Sequence, residues 1–586
     1  MFCPCSVVTN FIIMLVDLSR GVLSEPLLLS SPRRRIFRRS LVAAVSTLAA
    51  FIPLGALLHH FVQINSTAFT SKGMIVVEVY ETALLRSTRL TRLQQQKDVS
   101  GPPDVILRVH PTREYQEIRG FGGAITQASG TVWKKLKTER LRQSVIEAFF
   151  GESGIGASIA RVPINSCDFA ESSYSLDDVD GDVQLEHFDE SLPNDEEHLL
   201  PMTRAALAVN PRLELLASPW SPPAWMKSNG DMNGNGEPRG LRADAAAAWA
   251  TYISRWLSAF QKHGAAVSLL TVQNEPQAPS PWEACYYDAA QESQFVASHL
   301  GPALKAGVDS GRHAPVTLLG FDDQKDQIEQ WADALLGDQP SSPFIGGMAY
   351  HWYAGDHFDR LAAAVARHPG KLFLGTEATY ELTRLGDHHV PGSSGHLRWV
   401  REGVWARGEG YAHAIIGDLQ AGSSGWLDWN VLLDSDGGPN HLGNTCDAPL
   451  IADADLGTVH KHPQYFFLGH FSRFMPRGSR RVEVEKLRGA DGAVLKEPDS
   501  TKQTDAGGVY NLTDAVAYGS CQSAAPQAVA VKRPDGVTAL VVLNCGDDEA
   551  TVRLELIDGE GGKHADEFAQ RTVPAHSIHT YLLGHL

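Results

Sequence analysis

A chain of 586 residues is too long for one compact core, so two folded domains with additional segments are expected. Its formal charge of −17 argues against a nucleic-acid partner, which would need a basic face. A hydrophobic fraction of 43% and a charged fraction of 20% suit a globular protein, and 7 widely spaced cysteines without a CxxC pair point to no metal site.

The first 40 residues read as a basic tail that ends in Arg33, Arg34, Arg35, Arg38 and Arg39. Residues 41–58 carry no charge, which is long enough to span a bilayer. Arginines on the amino side place the tail in the cytosol, so 41–62 is expected to be a type II signal anchor. The rival reading is a late-starting, cleaved signal peptide. Either one delivers the body to the secretory pathway, whether lumenal, lysosomal or extracellular. Asn65 and Asn511 then become glycosylation acceptors in Asn-Ser-Thr and Asn-Leu-Thr. Cys3 and Cys5 would be cytosolic. One or two disulfides are compatible with Cys167, Cys285, Cys446, Cys521 and Cys545, in a pairing the sequence does not specify.

Residues 63–119 are expected to form a stem and the first strands of a β-sandwich. From Gly120 onward, apolar runs alternate with helical patterns, and the runs fall at 121–126, 156–164, 213–218, 268–274, 316–321, 347–350, 371–376 and 413–418. Amphipathic spacing over 132–150 and 244–263 supplies helices between them. Eightfold strand–helix alternation predicts an α/β fold, a (β/α)8 barrel over 120–476. Short strand-like runs at 74–80, 105–109, 528–532, 538–544, 551–557 and 577–582 flank the barrel on both sides. They predict one β-sandwich built from both ends of the body, its carboxyl part being 477–586, with a polar surface insertion at 487–524.

Glu275 and Glu377 end the fourth and seventh of the barrel runs. A carboxylate at the carboxyl end of a buried parallel strand is poorly placed for packing and well placed for chemistry, because barrel active sites lie at that face. Paired acids there suit a glycosidase in which one carboxyl protonates the leaving oxygen and the other attacks the anomeric carbon. Asn274, beside Glu275, is a candidate donor to a sugar 2-hydroxyl. Arg161, at the end of the second run, is a candidate partner for an ionised Glu377. Asp178-Val179-Asp180-Gly181-Asp182 has only part of a calcium-loop pattern, since Val183 stands where glycine is required, and reads as a solvated loop.

An ordered set of motifs adds a resemblance: Gly120-Phe121-Gly122-Gly123-Ala124, Arg161-Val162-Pro163 with Asp168, Ser218-Pro219-Trp220-Ser221-Pro222-Pro223, Asn274-Glu275-Pro276, His351-Trp352-Tyr353, Trp426-Leu427-Asp428-Trp429-Asn430 and Leu468-Gly469-His470-Phe471-Ser472. Together they resemble the glucosylceramidases of glycoside hydrolase family 30. The resemblance implies a retaining β-glucosidase acting on glucosylceramide-type glycolipid at a membrane surface, with no cofactor and no metal, and with scope for a lipid-presenting activator protein. It implies that Glu275 is the acid/base and Glu377 the nucleophile. It also implies that Asp168, Trp220, Asn274, Trp429 and Asn444 contact the sugar, and that His351 and Tyr353, with Trp352 beside them, neighbour the carboxylates. Gln127 departs from the pattern, standing where an acid is usual. A β-1,6-glucanase, β-xylosidase or β-fucosidase of the same family, or an inactive sugar-binding protein, stays open at this level.

Overall fold

The computed structural model describes residues 75–94, 98–382, 394–453, 455, 457–495, 521, 523, 525–557 and 568–584. The anchor at 41–62, both glycosylation triplets and most of the insertion lie outside the described residues. Among the described residues, no helix is long and apolar enough to cross a membrane.

Among the described residues, three strands precede the barrel: β1 (Ile75–Ala83), β2 (Thr88–Arg92) and β3 (Val105–Glu117). The barrel strands are β4 (Gly120–Ala124), β5 (Ile159–Ile164), β6 (Glu214–Pro219), β7 (Leu269–Thr271), β8 (Thr317–Gln324), β9 (Ile345–His351), β10 (Leu372–Glu377) and β11 (Gly425–Asp428). They close into a parallel barrel in sequence order, with β11 pairing β4 through Gly425 and Gly120. Ile159, Leu216, Leu269, Leu319, Ala349, Leu374 and Leu427 fill its interior, so the barrel is a packed core rather than a pore. β4 and β5 approach so closely that a Cβ at Gly122 would lie 1.7 Å from the Ile159 carbonyl oxygen, which explains the glycine there.

The eighth strand differs from expectation. Residues 413–418 belong to the helix Trp405–Ala421, and the strand is the later Gly425–Asp428. The helix is buried on nearly every side, from Arg407 through Leu419, so an interior stretch of it reads as an apolar strand-like run.

After the barrel come a small sheet of β12 (Leu432–Asp434), β13 (Leu450–Asp453) and β14 (Thr458–Lys461), then β15 (Arg480–Arg488), β16 (Gln527–Lys532), β17 (Thr538–Asn544), β18 (Ala550–Leu556), β19 (Phe568–Val573) and β20 (Ser577–Gly584). A nine-stranded sheet runs β19-β18-β3-β15-β16-β17-β20-β1-β2, antiparallel except where β18 pairs β3. Strands from both ends of the body therefore interleave. One core of Val79, Leu107, Val482, Leu540, Val552, Leu554 and Tyr581 lies inside it, which makes this the β-sandwich. The sandwich also contains β2, β15 and β19, which the sequence runs did not include. Leu487 and Arg488, expected to open the insertion, instead finish β15. Cys521 pairs with Cys545.

Candidate active site

The site is assembled at the carboxyl ends of the barrel strands. Glu377 is the last residue of β10 and His351 the last of β9. Arg161 lies within β5, and Asp322 and Gln324 end β8. Asn274 and Glu275 follow β7, where the chain bends sharply. Glu275 has φ 42°, and Phe321 and Asp322 across from it have φ 75° and 65°. Such left-handed geometry is unfavourable for side-chain-bearing residues and persists where surrounding bonds enforce it. Here the Glu275 amide donates to the Asp322 carbonyl at 3.0 Å, and the Asn274 amide to that of Pro219 at 2.8 Å.

Arg161 is the hub, wholly buried. Its Nη2 donates to Asp322 Oδ2 at 2.9 Å and to Asn274 Oδ1 at 2.8 Å, its Nε donates to Ser218 Oγ at 3.0 Å, and its Nη1 donates to Glu377 Oε2. The guanidinium lies 4.8 Å from the centre of the Trp220 ring and 5.5 Å from that of Trp429, and these two indoles stack 5.0 Å apart. Binding Oδ1 of Asn274 to Arg161 aims the amide nitrogen of Asn274 the other way, toward the cavity it lines.

Asp322 collects the remaining bonds beneath the carboxylates. Its Oδ1 accepts from Thr376 Oγ1 at 2.6 Å and from His351 Nε2 at 3.2 Å, and its Oδ2 also accepts from Ser218 Oγ at 3.1 Å. Burial alone would raise the Asp322 carboxyl, but Arg161 and His351 hold it well below the usual carboxylate range. His351 is under the reverse pressure. Burial disfavours its charge, yet Glu377, Asp322 and Glu275 overcome that and push it up to about 10. With both ring nitrogens protonated, Nε2 donates to Asp322 and Nδ1 to Glu275 Oε1 at 3.0 Å.

The two glutamates differ in their partners. Glu275 Oε1 accepts from His351 and from Gln324 Nε2 at 3.0 Å. Glu377 accepts from Arg161 and, at Oε1, from the Tyr353 hydroxyl at 3.0 Å, with His351 Nδ1 at 3.9 Å. Burial, reinforced by Glu275, raises the Glu377 carboxyl, and His351 and Arg161 oppose that rise. One oxygen of each glutamate lies within 4.8 Å of the other.

A cavity of about 250 Å³ opens over this pair. Asp168, Trp220, Asn274, Glu275, Tyr353, Glu377, Trp429 and Asn444 all line it. Asp168 Oδ2 accepts from Asn440 Nδ2 at 3.0 Å and Asn444 Nδ2 at 3.4 Å, while burial and the charges of Glu377 and Glu283 push its carboxyl well up. Arg161 and His351 lie below the floor, bonded to the lining. Trp352 turns away: its Nε1 donates to the Thr379 carbonyl at 3.2 Å, and its ring packs edge-on against Tyr380, Tyr411 and Trp426. Gln127, at the head of a helix, accepts through Oε1 from the Glu171 amide at 2.6 Å.

Sequence reasoning missed Asp322, Gln324, Ser218 and Thr376, along with Trp282 and Glu381 of the cavity wall. The first two were within reach of the rule that found Glu275 and Glu377. Asp322-Asp323-Gln324 directly follows the fifth apolar run and carries acids at a strand's carboxyl end.

Comparison with known proteins places this geometry. Residues 118–475 match the glycosyl hydrolase family 30 TIM-barrel domain, and 516–581 match the glycosyl hydrolase family 30 beta sandwich domain. The lysosomal acid glucosylceramidase of Mus musculus is 33% identical over 82% of this chain and 83% of its own length. An endo-1,6-beta-D-glucanase of Neurospora crassa is 27% identical over 63% of this chain and 72% of its own. Among solved structures, SrfJ from Salmonella typhimurium superposes with a TM-score of 0.69 at 30% identity, covering 87% of this chain and 99% of that one.

Proposed function

The chain belongs to glycosyl hydrolase family 30, and from that premise we propose that it is a retaining β-glucosidase that releases glucose from glucosylceramide-type glycolipids. The observation that carries the reading is the division of labour between Glu275 and Glu377 in one cavity. Glu377 accepts from the Arg161 guanidinium and the Tyr353 hydroxyl, partners that suit a nucleophilic carboxylate, while Glu275 Oε1 accepts from His351 and Gln324.

Glu377 attacks the anomeric carbon as the bond to the aglycone oxygen breaks. The bonding electron pair stays on that oxygen, which takes the proton from Glu275. Glu275, now a carboxylate, removes a proton from water as the water oxygen attacks the same carbon and frees Glu377. An oxygen–oxygen approach within 4.8 Å suits direct attack, whereas inversion needs about 6.5–9.5 Å between the carboxyls to admit water. Asp168, Asn274, Trp220, Trp429 and Asn444 offer acceptors and donors to the sugar hydroxyls, and Tyr353 orients Glu377.

The glycolipid assignment draws on the 33% identical glucosylceramidase of Mus musculus, and a 1,6-glucan is the second reading, favoured by the Neurospora crassa relative. The Cys521–Cys545 disulfide suits an oxidising, secretory compartment. A signal anchor at 41–62 would hold the catalytic body at a membrane, where a lipid-presenting protein could lift out the substrate. Purified protein, in detergent with anionic lipid at mildly acidic pH, is expected to release glucose from glucosylceramide, and Glu377→Gln is expected to release none. Release from β-1,6-glucan alone would move the assignment to the second reading.

A further inference from the structure

β3 enters the barrel and β15 leaves it, and their pairing sets His110 opposite Glu483 with Glu485 two residues along the same strand. We propose that His110, Glu483 and Glu485 form a divalent-cation site, matched to Zn²⁺, that clips these two strands together. One ligating atom from each residue lies within 4.8 Å of the others. His110 Nε2 is 3.2 Å from Glu485 Oε1, close to the edge of about 3.3 Å that tetrahedral zinc with bonds of ~2.0–2.1 Å sets between two ligands.

The imidazole is what sets this cluster apart from a surface ion pair. His110 is only 7% exposed, and its Nε2 has no hydrogen-bond partner despite the nearby carboxylate. A buried nitrogen left without a partner is destabilising, and a metal bond satisfies it. Arg113 now neutralises the acids, with Nη1 2.5 Å from Glu483 Oε2 and 3.5 Å from Glu485 Oε1. Its side chain is 55% exposed, so it can swing into solvent when a cation enters. One imidazole with two carboxylates suits zinc, whereas calcium and magnesium prefer all-oxygen sets. No sequence spacing shows this site, because strand pairing rather than proximity along the chain brings the ligands together. The cluster is built on the sandwich and not on the cavity, so the clip acts on stability.

The test uses the full chain, stripped with chelator and dialysed against about 100 µM Zn²⁺. One zinc per chain should bind, and Tm should rise by roughly 2 °C or more. His110→Asn and Glu485→Gln should each lose both the bound zinc and the rise. Arg113→Ala, which removes the competing cation, should bind zinc about tenfold more tightly. Three results would overturn the proposal: no stoichiometric zinc, zinc bound equally by both ligand variants, or a response to Ca²⁺ in place of Zn²⁺. Should either ligand variant fail to fold, Arg113→Ala decides the matter, since an ion-pair cluster alone predicts lower stability and no tighter zinc.

Discussion

Two buried aspartates, Asp322 and Asp447, sit in almost the same chemical company and do different things. Each is held well below the usual carboxylate range, against burial, by an arginine and a histidine: Arg161 and His351 for one, Arg407 and His462 for the other. Around Asp447 the cluster is closed. Oδ1 accepts from His462 Nδ1 at 2.7 Å and the Ala448 amide at 2.9 Å, and Oδ2 accepts from Arg407 and from Gln464 Nε2 at 2.8 Å. Around Asp322 the same arrangement carries two additional glutamates, and both line a cavity. A shifted, buried ion network therefore does not by itself mark an active site. Acidic groups in excess of the structural need, turned toward open space, do.

The comparison breaks most sharply at Glu377. Glu377→Gln removes the proposed nucleophile and should lower kcat by roughly 10⁴-fold or more in a protein that still folds, measured with an aryl β-glucoside. Glu275→Gln should cost about 10²–10⁴-fold on glycolipid and much less on a glucoside whose leaving group needs no proton, as parallel assays of the two substrates would reveal. Arg407→Met does the opposite. It strands Asp447 without its arginine and should destabilise by about 3–5 kcal/mol in denaturant unfolding, while kcat per folded molecule stays near wild type.

The His351 shift predicts a pH signature in the cluster around Asp322. Its folded value of about 10 lies above the ~6.5 of an unfolded histidine, so its contribution to stability is complete below pH ~6.5 and is lost as pH rises toward 10. Melting temperature should therefore fall across that window in the wild type, and His351→Gln should flatten part of the fall. The smallest effect is expected at Gln127. Replacing it with Ala removes an acceptor for the Glu171 amide, should cost about 1 kcal/mol, and should leave kcat nearly unchanged.

What could be read in advance follows the physics of each element. The paired acids were legible because Glu275 and Glu377 each close a short apolar run, where packing gives no reason for a charge. Interleaving of the chain ends in one sandwich was legible in the terminal strand-like runs. The eighth barrel strand was not, because Gly425–Asp428 is four residues long and the helix before it, buried on nearly all faces, has the same apolar texture. β15 escaped because Arg480–Arg488 is mostly charged: only Val482, Lys486 and Leu487 are buried, and the outward residues dominate its composition. Asp322 escaped for a different reason. Its importance lies in bonds to Arg161, Ser218, His351 and Thr376, which come from four other strands and leave no mark on local sequence.

The most direct test of the account is to trap the glycosyl-enzyme. Incubation with an activated 2-deoxy-2-fluoro-β-glucoside, whose fluorine slows both steps and whose leaving group restores the first, should add one sugar per chain, and peptide mass spectrometry should place it on Glu377. A protein that releases glucose yet carries no adduct, or carries it on another residue, would contradict the retaining mechanism and the role given to Glu377.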